Sequence, residues 1–140
     1  MPPAPITAGQ TRRFLVILWV VLFATLPIYY FLTTILRTDE ANPNSPLIYP
    51  LLGFGILTVL ASFYFKARFG FRPGQERSLA MVRASYVIAL VFTEVPAILG
   101  LVVYVLSAWP NIWIFWVISA GGYFLNFPVR ADFERFERTV

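Results

Sequence analysis

Three long stretches of this chain carry no charged residue: Phe14 to Leu36, Ala41 to Phe65 and Val95 to Val129, of 23, 25 and 35 residues. Each is long enough for a helix to cross a hydrocarbon core, which needs ~20 residues. Backbone amides and carbonyls cannot be left unbonded in hydrocarbon, so such runs fold as helices and the expected class is all-α. Composition points the same way, with 59% hydrophobic and 13% charged residues against roughly 45–50% and about 25% in a soluble domain. The reading is a polytopic membrane protein with four transmembrane helices in a small bundle, at about 14–36, 47–65, 80–106 and 112–127. Four spans and their connections use up 140 residues, leaving no room for a soluble catalytic domain.

Turn chemistry divides the runs. Residues 1–13 read as an unstructured lead: the first ten include three prolines and a glycine and no charge. Arg12 and Arg13 then precede an apolar run too long for a signal-peptide core, so an uncleaved first span is expected. Pro27 within it predicts a kink near Thr25. Asn42, Pro43, Asn44 and Pro46 mark a short loop, and Trp109, Pro110 and Asn111 a tight turn that splits the longest run in two. The transmembrane domain is expected over residues 14–129 and a mixed-charge tail over 130–140, where Phe133 and Phe136 would share one face of a short surface helix. Tyr29, Tyr30, Tyr49 and Tyr64 near span ends read as interface-belt residues.

Charge sets the expected orientation. The N-terminus, the loop between spans two and three and the C-terminus share one side, which holds Arg12, Arg13, Lys66, Arg68, Arg72, Arg77, Arg83, Arg130, Arg135 and Arg138, against Arg37 alone on the other. This ten-to-one asymmetry places both termini in the cytoplasm, and a bacterial inner membrane is the expected location. The formal charge of +4 is thereby topological, and no nucleic acid is expected as a partner. With no His and no Cys, haem, zinc, iron–sulfur and thiol chemistry lose their main ligands, so neither a metal nor another cofactor is expected.

One ionisable residue lies deep inside a run. Glu94 falls about midway along span three, where an unpaired carboxylate costs at least roughly 2.5–3.5 kcal/mol and tends to take up a proton. That tendency is the physical basis of proton carriage, which makes Glu94 the candidate ion-binding residue. The plainer alternative is a protonated carboxyl bonded to a neighbouring helix through Asn126, Tyr104, Thr25 or a carbonyl freed near Pro96. Around it, Ala89, Thr93 and Ala97 repeat every four residues with Gly100 beside them, and span four has Gly121 and Gly122. Small residues in such rows let helices approach closely.

The stretch from Arg83 through Glu94, Pro96 and Gly100 to Leu106 resembles the second helix of subunit c of the rotary ATP synthases, the proteolipid of the rotor ring. The similarity covers about residues 66–106; the rest of the chain does not match. It implies that Glu94 is the carboxylate that binds a proton or sodium ion. Arg83 would flank a cytoplasmic loop in which Arg72, Pro73 and Gln75 stand where the family has an Arg-Gln-Pro turn, in altered order.

No convergent set of catalytic side chains is visible in the spans, so an enzyme is not expected. The leading expectation is an integral membrane subunit, proteolipid-like in proton or cation translocation, in contact with membrane lipid and with other membrane subunits or its own copies. The alternatives are an accessory or assembly subunit of a larger membrane complex, and an independent small transporter. Reporter fusions after Leu36, Arg77, Trp109 and Val140 should read outside, inside, outside and inside; a tail outside the cytoplasm would overturn the topology.

Overall fold

The computed structural model describes residues 7–36, 46–70 and 78–133, without the side chains of residues 69 and 70. The expected loop residues Arg72, Pro73 and Gln75 lie outside these segments, as do Phe136 and the first six residues. Five helices follow in order: α1 (Ala8–Phe23), α2 (Thr25–Ile35), α3 (Ile48–Gly70), α4 (Leu79–Ser107) and α5 (Trp113–Leu125). No strand occurs among the described residues. Three apolar stretches are long enough to cross a membrane: Ala8–Ile35, which joins α1 and α2, then Ile48–Arg68 and Leu79–Ser107.

Local chemistry accounts for the boundaries. The helix begins inside the expected lead because Thr7 and Gln10 form a capping box: the Gln10 amide donates to Thr7 Oγ1 (3.2 Å) and the Thr7 amide to Gln10 Oε1 (3.1 Å), which satisfies two amide hydrogens the helix start would leave unbonded. α1 and α2 meet at Ala24, one turn before Pro27, whose missing N–H leaves the Phe23 carbonyl without its helical donor. α3 runs five residues beyond the expected end, to Gly70, since nothing in the sequence from Phe63 to Arg68 breaks a helix. Ser78 caps α4 by accepting from the Met81 amide (3.2 Å). At its other end Ala108 turns left-handed (φ 49°, ψ 33°), and Pro110 prevents the helix from resuming.

α5 lies within two residues of its expected bounds. It has 13 residues, about 20 Å of helix, too short by itself for a ~30 Å hydrocarbon core. It stops at Leu125 because Pro128 disfavours helix in the residue before it and offers no N–H. The chain nevertheless keeps following α4 backwards. Phe115 lies against Gly100, Ser119 bonds the Thr93 carbonyl, and Asp132 accepts from the Tyr86 hydroxyl. Phe133 stacks on the Tyr86 ring and is buried, so the start of the expected mixed-charge tail is part of the core.

α4 is the axis of the molecule. Half of its apolar window is buried, against 28% for α3 and 11% for the joined α1–α2. Its neighbours form three layers along it: Ala8, Leu15 and Phe133 around Val82 and Tyr86; Leu26 and Tyr123 around Leu90 and Ala97; Ile48, Ile112 and Phe115 around Val103. The order of these partners makes α1–α2 parallel to α4, and α3 and α5 antiparallel to it. The described cationic residues Arg12, Arg13, Lys66, Arg68, Arg83 and Arg130 therefore collect towards the end where α1 and α4 begin.

Close approach along α4 depends on residues without bulk. A Cβ at Gly100 would sit 2.8 Å from Phe115 Cβ, and one at Gly122 would sit 2.7 Å from Thr93 Cγ2. Ala89, Thr93 and Ala97 are fully buried. Gly121 takes no part, since nothing lies within 4 Å of a Cβ there; it is on the face of α5 turned from α4, next to Gly122 in sequence but about 100° around the helix. Gly100→Leu should lower stability in detergent by roughly 1–3 kcal/mol through overpacking, whereas Val102→Leu, at a position 40% exposed, should leave the melting temperature unchanged. Equal tolerance at both positions would contradict this packing.

Candidate functional site

Glu94 sits near the midpoint of the 29-residue α4 and is 7% exposed. A carboxyl with so little water must find its hydrogen bonds within the protein. Three hydroxyls from two helices supply them. Thr25 Oγ1 lies 2.6 Å and Tyr29 Oη 2.8 Å from Oε1, while the Tyr123 hydroxyl donates to Oε2. Two of these come from α2 and one from α5.

The sequence places these groups by simple spacing. Thr25 and Tyr29 are four residues apart and so share one face of α2. Tyr123 is the one residue of its pair, Tyr123 and Phe124, that faces α4: it is fully buried, whereas Phe124 is 66% exposed. Its position is held by Trp19, whose indole nitrogen donates to the Tyr123 carbonyl (2.8 Å), and by the Phe23 ring against its edge. α1, α2, α4 and α5 thus converge at the level of Glu94.

Proton counting makes Thr25 informative. Its oxygen lies 2.5 Å from the Leu22 carbonyl oxygen and 2.6 Å from Glu94 Oε1, yet a hydroxyl has one hydrogen to give. If that hydrogen serves Leu22, the second contact needs a proton on Glu94. If it serves Glu94, the Leu22 carbonyl gives it up. The arrangement therefore accommodates both charge states of the carboxyl and differs between them by rotation of one hydroxyl.

A second polar cluster lies beside the first. The Asn126 amide nitrogen donates to Ser62 Oγ (2.9 Å) and Thr93 Oγ1 (3.1 Å). Those hydroxyls donate onward to the Val59 and Ala89 carbonyls (2.6 and 2.8 Å), and Ser119 Oγ donates to the Thr93 carbonyl (2.7 Å). Asn126 joins α3, α4 and the end of α5, and its Oδ1 is buried without a partner.

Several expected placements change. Asn126 bonds Ser62 and Thr93 rather than Glu94, because it leaves α5 on the side nearer the start of α4. Tyr104 is about 15 Å from Glu94 along the same helix and packs beside Ile48 and Val103. Tyr29, read as a belt residue, points inward; its spacing from Thr25 was the available signal. Tyr30, Tyr49 and Tyr64 are exposed. Tyr123 had no sequence signal apart from lying in an apolar helix, since aromatic residues occur on every face of these spans. Among the described residues no group of three or more acidic side chains could hold a metal ion.

The unequal sharing of the two carboxyl oxygens gives a stability prediction. Tyr123→Phe removes the one partner of Oε2 in a fully buried position and should cost about 1–3 kcal/mol, whereas Tyr29→Phe leaves Thr25 on Oε1 and should cost roughly 0.5–1.5 kcal/mol. Unfolding in mild detergent would measure both; a larger loss for Tyr29→Phe would contradict this arrangement. No protein-family model, curated protein or solved structure matches this chain.

Proposed function

We propose that this is an integral membrane protein in which Glu94 is an exchangeable carboxyl, working as a small proteolipid-like subunit in proton translocation. The observation that carries the reading is the Thr25 hydroxyl, held between Leu22 and Glu94 with one hydrogen for two acceptors. A group that must gain and lose a proton in apolar surroundings needs both states satisfied, because an unbonded buried charge or donor is expensive. On proton release Thr25 turns from the Leu22 carbonyl to Oε1, and the carboxylate keeps three donors. On uptake, Glu94 donates to Thr25 and Thr25 returns to Leu22.

The neighbours favour a proton over sodium. Hydroxyls at 2.6 and 2.8 Å on Oε1, and the Tyr123 hydroxyl on Oε2, already occupy the carboxyl oxygens, whereas a sodium ion would need that space and oxygen lone pairs directed at it. Four membrane crossings are supported by the path after Ser107: α5 and the segment after it follow α4 back to Tyr86, a descent of about 31 Å. Irregular backbone at membrane depth is tolerated when buried in protein, and Asn126, Pro128 and Phe133 are buried. The gathering of described cations at one end supports cytoplasmic termini, in keeping with a bacterial inner membrane.

A carbodiimide that partitions into apolar surroundings should label Glu94 in preference to the chain's six other acidic residues. In vesicles, Glu94→Gln should retain the fold and abolish proton movement, since an amide preserves shape without exchanging a proton. Full proton movement by Glu94→Gln would make the carboxyl a packing bond, and the protein a non-catalytic accessory or assembly subunit of a larger membrane complex.

A further inference from the structure

Where α1 and α4 begin side by side, the surface opens into a groove of about 530 Å³ lined by Thr11, Ala80, Arg83, Ala84, Val87 and Ile88. Ala80, Ala84 and Ile88 follow one another at four-residue spacing and are exposed, so they form a straight row along the α4 axis. Two alanines in succession leave the row shallow, a trough about 12 Å long between residues 80 and 88. Its direction is that of the helix, and hence of the acyl chains beside a membrane-spanning helix.

Arg83 forms one wall. Its guanidinium lies 4.3 Å from the centre of the Phe14 ring, a cation–π contact that fixes the charge without using its in-plane N–H donors. Among the described residues it has no carboxylate partner; Asp132 is engaged by Tyr86. The groove therefore joins a slot for a hydrocarbon chain to a positioned guanidinium without a carboxylate partner among the described residues, at the end where the described cations collect. A soluble anion would match the arginine alone, and a neutral lipid the trough alone.

We propose that this groove binds an anionic phospholipid of the surrounding bilayer, with its phosphate on Arg83 and one acyl chain along Ala80, Ala84 and Ile88. The arginine supplies paired donors to phosphate oxygens, and the trough selects for the chain by burying it. The site lies on the outside of the bundle and does not depend on proton exchange at Glu94.

The test is native mass spectrometry of the protein released from vesicles of phosphatidylcholine and phosphatidylglycerol. The parent protein should retain phosphatidylglycerol in preference. Arg83→Gln should lower the retained anionic lipid by roughly tenfold, equivalent to about 1.4 kcal/mol. Ala84→Trp should release it by filling the trough with Arg83 in place. Arg13→Gln, an exposed charge near the same end, should change retention by less than about twofold. Addition of phosphatidylglycerol, but not phosphatidylcholine, should raise the melting temperature of the detergent-solubilised parent, a readout that needs no variant. Equal retention of the two lipids by the parent, or an Arg13→Gln loss as large as that of Arg83→Gln, would overturn the proposal in favour of diffuse charge attraction. Proton movement is not read in this experiment, so its failure is separate from failure of the role given to Glu94.

Discussion

A carboxyl in the middle of a buried helix cannot rely on water for its hydrogen bonds, and the packing around Glu94 answers that requirement. Thr25 and Tyr29 reach it from α2 and Tyr123 from α5. Each of those side chains is useful only if its helix lies against α4 at one height and rotation. Breaking a buried polar contact costs more than a mismatched apolar one, so these bonds specify register where Leu, Val and Ile packing alone would tolerate sliding. The joined α1–α2 has the smallest buried share of the three long apolar stretches, which makes the polar contact at its kink proportionately more important for placing it.

The kink and the site are one feature. Pro27 breaks the bonding of the preceding turn and α2 restarts at Thr25, so the Thr25 hydroxyl satisfies a carbonyl of the last turn of α1 while facing Glu94. Here the Thr25 hydroxyl, which reaches the Leu22 carbonyl beside the break, is also a neighbour of the ionisable group, and that gives it two acceptors to choose between.

The other side of α4 is built differently. Asn126, Ser62, Thr93 and Ser119 link α3, α4 and the end of α5 without any ionisable group. Gly122 lets Thr93 come close enough for those bonds to form. At the end where the described cations gather, Lys66 Nζ lies 4.3 Å from the centre of the Tyr86 ring. Tyr86 in turn donates to Asp132, so the chain after α5 is fastened where charged residues meet the apolar core.

Much of this architecture follows from residue order. Uncharged runs longer than a bilayer core require helices, because only internal bonding can satisfy their backbones. Pro27 and Pro110 act within a turn of themselves, so the kink near Thr25 and the turn after α4 were legible locally. Glu94 stood out because a carboxyl in an apolar run is costly unless it is protonated or bonded, and Thr25 could be named among its candidate partners. What only the tertiary structure decided was which side chains reach it. Tyr29 and Tyr123 turn inward while Tyr30 and Phe124 beside them turn out, and Asn126 serves Ser62 and Thr93 instead. Helix rotation and axial shift set those choices, and both arise from contacts between segments far apart in the chain. In spans that are apolar all round, no periodic pattern marks the inner face, so a sequence gives the helices without saying which way they face.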